Sequence, residues 1–277
     1  VIKRFDKFVN HKLVHTGQNY DYELSEVFFE DLNLREPDVF MNASKDSLGS
    51  TIGDIIKESE RILKEIDPDA LLILGDTNSS LSGYMAKRLH IPIYHMEAGN
   101  RCFDSNVPEE TNRKIIDHIA DFNLVYTQRS RQHLLSEGLP HRRIYLTGSP
   151  MKEVLSDNIE KIKDSEILDE LDLQEDNYFL VSVHREENVD KGDNLKKILD
   201  FLTRLVKDYD LPVIVSTHPR TRERLSEVDD VIVPEKVRFL KPFSFSDYNH
   251  LQVNAKCVIS DSGTINEESA ILGFPAV

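Results

Sequence analysis

Cysteine is nearly absent: two in 277 residues, Cys102 and Cys257. That is too few for a disulfide framework, and they lack metal-ligand spacing, which suits a reducing cytoplasm. Positive charge is also short. Lys and Arg together number 34 against 49 Asp and Glu, for a formal net charge of −15 and a pI near 5.1. Such a balance argues against nucleic acid or an anionic membrane surface as the main partner, although one local cluster of donors can still hold a phosphate-bearing ligand. No apolar run approaches the length of a membrane span, and no stretch reads as a signal peptide. A zinc pattern, a Walker loop, a nucleophile elbow and a G-x-G-x-x-G fingerprint are all lacking, so hydride transfer and ATP chemistry lose ground.

What is present is an ordinary globular composition, 39% hydrophobic and 30% charged, long enough for one large or two medium domains. The chain is organised around residues 91–113. A β-branched run from Ile91 to His95 predicts a buried strand that stops at Glu97-Ala-Gly99, where small residues let the backbone turn. Pro108-Glu-Glu110 then opens a helix on which Glu109 and Arg113, four apart, share a face. An acid at a strand end followed by acid and base on a helix start is how open α/β sheets build a cleft. Glu109 and Glu110 would also serve as dipole-complementing surface acids, and Glu109 with Arg113 as a solvated pair. Glu97 is harder to dismiss, because a carboxylate directly after an apolar strand is costly unless paired or used.

The rest alternates strand and helix. Strands are expected at 12–15, 70–74, 122–126, 144–147, 178–183, 213–216 and 256–260, and helices at 22–31, 51–66, 130–137, 195–209 and 265–272. Asp76 follows the 70–74 strand as a helix cap or a site acid. Residues 157–176 read as connector plus a short helix. The expected organisation is α/β: two doubly wound, Rossmann-like domains facing a cleft, at 1–155 and 177–277, with a connector at 156–176. Both ends look cut, since the opening residues resemble a helix tail and Gly273-Phe-Pro-Ala-Val277 resembles the beginning of a strand. A fragment of this kind is expected to be inactive and poorly stable alone.

Functional candidates gather at strand ends: Asp76, Glu97, Glu109, Arg113, His184, Ser262, Gly263 and Glu268. Ser262-Gly263 before a helix offers N–H groups to a diphosphate, and Glu268 could accept from ribose hydroxyls; a plain helix cap with a solvated acid is the alternative. Carboxylates for a proton and donors for a diphosphate fit transfer or elimination at a sugar nucleotide.

Five boxes taken in order, Leu74-Gly-Asp-Thr77, His95-Met-Glu-Ala-Gly-Asn-Arg101, Pro108-Glu-Glu-Thr-Asn-Arg113, His184-Arg-Glu-Glu187 and Asp261-Ser-Gly-Thr-Ile-Asn-Glu-Glu268, resemble the non-hydrolysing UDP-N-acetylglucosamine 2-epimerase family. The resemblance implies a fold of the GT-B type, a UDP-sugar substrate, no cofactor or metal, and a cytoplasmic protein, with a homodimer as the candidate assembly. It matches Asp76, Glu97 and Glu109 to catalytic acids, and Arg113 and His184 to their cationic or polar partners. Ser262, Gly263 and Glu268 match a UDP-binding helix start, with Tyr248 as an aromatic on the uracil side. The family's first strand, with its Gly-Thr-Arg-Pro-Glu loop, is expected before Val1, and its closing helix beyond Val277. Asn100-Arg101-Cys102-Phe103-Asp104 looks like the branch that forms UDP-N-acetyl-L-fucosamine for capsule or O-antigen synthesis, which places Asn100, Arg101 and Phe103 near the sugar. A glycosyltransferase of the same architecture and a catalytically silent sugar-nucleotide sensor are the other readings.

Overall fold

The computed structural model describes residues 1–17, 29, 31–44, 46–183, 192–217 and 233–277, and for residues 192–194 the backbone alone. His184 with its box, most of the helix expected over 22–31 and residues 218–220 lie outside the described residues. Two compact units divide the chain, one of Val1–Tyr20 with Arg35–Pro150, the other of Asp21–Leu34 with Met151–Val277.

The first unit runs α1 (Ile2–Phe8), β1 (Val14–His15), β2 (Val39–Phe40), α2 (Leu48–Ile66), β3 (Leu71–Leu74) and, after a short turn, α3 (Ser82–Arg88). It continues with β4 (Ile93–Met96), α4 (Pro108–Ile119), β5 (Phe122–Val125), α5 (Gln128–Ser136) and β6 (Ile144–Leu146). Strands β3-β4-β5-β6 pair in parallel in that order, and β1 pairs with β2. Local chemistry sets the helices. Ser47 caps α2 by accepting the Ser50 N–H, and Thr127 caps α5 by accepting that of Ser130. Buried Ile55, Ile62 and Leu63 give α2 its inward stripe. That stripe meets the sheet over a core of Leu63, Ile73, Ala86, Ile93 and Ile116.

The second unit contains α6 (Met151–Lys163), α7 (Ile167–Glu170), β7 (Phe179–Ser182), α8 (Gly192–Tyr209), β8 (Val213–Ser216), β9 (Val237–Leu240), α9 (Phe245–Asn254), β10 (Cys257–Ser260) and α10 (Ile265–Leu272). Its parallel sheet has the order β10-β7-β8-β9, so the chain switches side between β7 and β10. Tyr178 and Leu180 enter the core beneath α9 and α10, whereas Phe179 and Val181 pack with Leu195, Leu199 and Leu202 of α8. Period-2 alternation thus buries both faces, as an apolar parallel strand requires.

Several expectations need correcting. The stretch expected as a connector is helical for the most part: α6 reaches back to Met151, and its Ile162 carbonyl accepts from His250 Nδ1 at 2.6 Å. Leu155, Ile162, Ile167 and Leu173 are buried there, four anchors hidden among charges. Strands β2 and β9 and helix α9 were not expected. The two strands have only two and four residues, and α9 carries polar residues on its inward face. At the last residues, Ala276 bridges in parallel to Val258.

Two glycines in left-handed conformation test the packing. Gly138 (φ +88) has open space where a Cβ would go, whereas a Cβ on Gly99 (φ +77) would overlap the Ser130 carbonyl oxygen. Gly138→Ala should cost about 1–2 kcal/mol of backbone strain, and Gly99→Ala about 1–3 kcal/mol more from overpacking. Urea midpoints of the two variants check the difference.

Candidate functional site

The first unit assembles its polar groups at the carboxyl ends of β3 and β4. Leu74 pairs with Met96 in register, and the Gly75 N–H adds a 3.2 Å bond to the Met96 carbonyl. The next residues, Asp76 and Glu97, therefore emerge side by side. Gly75 (φ +78) turns the chain, and a Cβ there would lie 3.5 Å from Glu97 Oε2, so the carboxylate reaches over this glycine. Glu97 itself sits at φ +68, a left-handed conformation disfavoured for a residue with a side chain.

Helix α4 supplies the cation. Arg113 Nε donates to Asp76 Oδ2 at 2.7 Å, with Nη2 on the same oxygen, while Nη1 donates to Glu110 Oε2 at 3.1 Å. Asp76 is thus the partner of an arginine on another element. The turn that follows it is led by Thr77, without a side-chain cap bond. Glu97 takes 3.2 Å from Asn100 Nδ2, and Asn100 Oδ1 is oriented by the Ser130 hydroxyl at 2.9 Å. Burial first, then the Asp76 carboxylate, push the Glu97 carboxyl above the ordinary range; Arg113, His95 and Asn100 pull the other way. One carboxylate is committed to an arginine and its neighbour is kept easy to protonate.

Glu109 and Glu110 have separate fates. Glu109 is exposed on the first turn of α4, and its expected pairing with Arg113 is not formed. Glu110 is 1% exposed and holds the loop above it, accepting the Cys102 N–H at 3.1 Å and pairing with Lys114 at 3.2 Å. Burial alone would raise its carboxyl, but the Cys102 N–H and Lys114 outweigh that and bring it to about 2.

Arg101 corrects another expectation. Instead of facing a sugar, its fully buried guanidinium donates to Asp117 and the Asn100 carbonyl through Nη1, and to both oxygens of Glu137, all at 2.7 Å. Phe103 is 69% exposed at φ +59, its ring edge-on to His133 at 5.2 Å. The buried members of this region, His95, Glu110 and Asp117, escaped the sequence reading. The one signal for Glu110 and Asp117 was helical spacing, since Glu110, Arg113 and Asp117 recur at three and four residues on α4; His95 gave none.

The second unit has a pocket of about 240 Å³ at its strand ends, lined by Ser182, Ser216 and Ser260 and by Tyr248, Asn249, Gln252, Ser262 and Glu268. It lies at the switch between β7 and β10, where open α/β sheets bind ligands. Three of the four expected residues, Ser262, Glu268 and Tyr248, line it, with Gly263 in the same loop. A Cβ on Gly263 would meet nothing within 4 Å. Gln252 Nε2 donates to Glu268 Oε2 at 2.8 Å. Gln252 Oε1 and Asn249 Oδ1 are buried and have no hydrogen-bond partner among the described residues. Burial pushes the Tyr248 hydroxyl up to about 12, with Glu268 and Asp261 adding to it.

A family model for UDP-N-acetylglucosamine 2-epimerase matches residues 3–277. The chain belongs to that family. A solved structure of UDP-N-acetylglucosamine 2-epimerase from Rickettsia bellii is 49% identical, with a TM-score of 0.90, over 99% of this chain and 73% of that one. The Methanocaldococcus jannaschii enzyme, solved with UDP-GlcNAc and UDP, is 32% identical with a TM-score of 0.92, over 99% of this chain and 78% of that one. A Pseudomonas aeruginosa protein named UDP-2,3-diacetamido-2,3-dideoxy-D-glucuronate 2-epimerase is 30% identical over 96% of this chain and 73% of its own length. The likeness identifies the fold as that of these epimerases, α/β with Rossmann-like parallel sheets. Among the described residues, no helix is long and apolar enough to cross a membrane, and no group of three or more His, Cys, Asp or Glu is placed to hold a metal.

Glu110 gives a pH-dependent test. Its folded-state value of about 2 lies below the ordinary 4.5, so its carboxylate stabilises the fold above about pH 4.5, and that contribution is lost as pH falls toward 2. Glu110→Gln should destabilise by about 1–3 kcal/mol near neutrality. Denaturant titrations at stepped pH should show the gap to wild type closing on the acid side.

Proposed function

We propose that this chain acts as a UDP-2-acetamidohexose 2-epimerase that works by elimination and re-addition of UDP. The observation that carries this reading is the pairing of a protonatable Glu97 with the Asp76–Arg113 ion pair at adjacent strand ends. The C2 proton of such a sugar is not next to a carbonyl, so no ordinary base removes it at neutral pH. As the C1–O bond breaks and its electron pair leaves with UDP, positive charge builds at C1 and acidifies C2. A carboxylate takes the proton, a C1–C2 double bond forms, and a 2-acetamidoglycal remains beside UDP. Delivery of a proton to the opposite face of C2, with UDP returning to C1, gives the epimer. Both faces of C2 need acid–base groups, and Asp76, Glu97 and Glu109 are the candidates; Arg113 holds Asp76 in place, and His184 is the proposed polar partner. Ser262, Gly263, Glu268 and Tyr248 are the proposed UDP contacts, and the free acceptors on Asn249 and Gln252 suit a nucleotide's donors.

The names of the relatives support the 2-acetamido-UDP-sugar class and already differ at C6, hydroxymethyl in one and carboxylate in another. Within that class, UDP-N-acetylglucosamine is the substrate that most of these names favour. A second reading is 2-epimerisation of UDP-2-acetamido-2,6-dideoxy-L-talose to UDP-N-acetyl-L-fucosamine. Exposed Phe103 supports it, since an apolar ring suits a C6 methyl.

Product formed in D2O should carry deuterium at C2, read by NMR; protium retained through many turnovers would exclude the mechanism. Glu97→Gln, Asp76→Asn and Glu109→Gln should each lose roughly 10²-fold or more in kcat. Because Glu97 has a raised folded-state value, its contribution to stability is lost as pH rises through that value. The Gln variant should therefore unfold no earlier than wild type at neutral pH. Competing the two UDP-sugars in one tube decides between the substrates, with a preference of about 10- to 200-fold expected from one group in an apolar pocket.

A further inference from the structure

His95 is next to last on β4, two residues before Glu97, and its side chain is fully buried. Nδ1 lies 2.8 Å from Asp117 Oδ1, and Nε2 lies 2.9 Å from the Gly75 carbonyl oxygen. A carbonyl oxygen can only accept. Asp117 also accepts, since it takes the Gly99 N–H at 3.2 Å and Arg101 Nη1 at 2.7 Å. With Asp117 ionised against Arg101, both ring nitrogens face acceptors, and a neutral imidazole could donate to only one of them. The surroundings balance that charge: His95 and Arg101 are set against Asp117 and Glu137, with His118 3.8 Å from Glu137 at the rim.

We propose that His95 is locked as an imidazolium by Asp117 and is a positioning residue for the acid–base pair, holding Asp76 through the Gly75 carbonyl and tuning Glu97 by its charge. The proposal rests on the epimerase reading and deepens it. Gly75 is the residue whose turn aims Asp76, so an N–H on its carbonyl fixes the peptide that presents that carboxylate. The charged groups around Glu97 come from every neighbouring element: Asp76 after β3, His95 on β4, Arg113 and Glu110 on α4, and the Arg101–Asp117–Glu137 set behind the turn. Burial and Asp76 make Glu97 harder to ionise, and Arg113 and His95 oppose them. Without the imidazolium, Glu97 would keep its proton to higher pH.

The test has two arms on the full chain. Imidazole 15N NMR of wild type, with His95 assigned by its loss in His95→Gln, should show both of its ring nitrogens protonated in the folded chain. A neutral ring would overturn the proposal, and this arm needs no turnover. In the second arm, His95→Gln keeps an N–H donor for Gly75 but removes the charge. Its kcat profile should move to higher pH by about one pH unit, an about ten-fold loss on the rising limb, with KM little changed. Equal loss at every pH, with the profile in place, means a merely structural role and overturns the charge argument. Asp117→Asn should abolish the doubly protonated signature; its survival would overturn the lock. If wild type turns over no UDP-sugar, the epimerase reading fails and the positioning role with it, while the NMR arm still reports the protonation state.

Discussion

Asp117 is the constraint on which the first unit's site depends. It is a carboxylate with no exposed side-chain surface, two turns into α4, and a charge in that place is tolerated only when donors surround it. Three are supplied, by His95, Arg101 and the Gly99 N–H, and Arg101 also ties the group to Glu137. Each fixes a different piece of backbone. The Gly99 bond sets the turn after β4, Arg101 pins the loop that follows, and His95 ties the end of β3 to the end of β4. Replacing such a network by apolar residues of equal volume is often neutral for stability, so its value here lies in geometry. It leaves one arrangement for the turn that holds Glu97 in a left-handed conformation, a strain that only a surrounding of this rigidity sustains.

Within that frame three carboxylates have been driven apart. Glu110 is a permanent anion near the Cys102 N–H, Asp76 is committed to Arg113, and Glu97 is raised by burial and by Asp76. Two acids placed in contrasting environments are the usual basis for assigning acid and base roles. The contrast comes from position along the chain. Asp76 and Glu97 leave adjacent parallel strands at matching depth, but only Asp76 stands where α4 can bring a guanidinium to it.

Much of this was readable in the sequence, for reasons that differ by element. Strands β3, β4 and β10 announce themselves as short apolar runs ending in small or polar residues, so the strand-end placement of Asp76, Glu97 and Ser262 follows from period and turn chemistry. Residues doing buried polar work were hidden. Asp117 sits in Ile115-Ile-Asp-His-Ile119, where an acid reads as solvent-facing, and Glu110 differs from Glu109 only by the hundred-degree step that turns it inward. Arg101 was placed beside the sugar by the resemblance of the stretch from Asn100 to Asp104 to one branch of the family, yet its donors are spent on protein acceptors. Helix α9 was missed for a related reason. Asn249 and Gln252 are buried yet polar, so its inward face carries no apolar stripe. A binding surface is where the pattern should break.

The two units also differ in how each can select a ligand. In the second, Gln252 Oε1 and Asn249 Oδ1 are buried acceptors without partners among the described residues, and a buried polar atom left unpaired costs about 1–3 kcal/mol. A ligand whose N–H or O–H groups meet both removes that cost, and one lacking them leaves it in place, so discrimination there is steep. Sites built on such unpaired groups reject a wrong ligand by about 10⁴-fold or more. Phe103, by contrast, is an exposed apolar ring set edge-on to His133, with no buried polar atom of its own to satisfy. Among the relatives, UDP is common to the names and the hexose varies at C3 and C6.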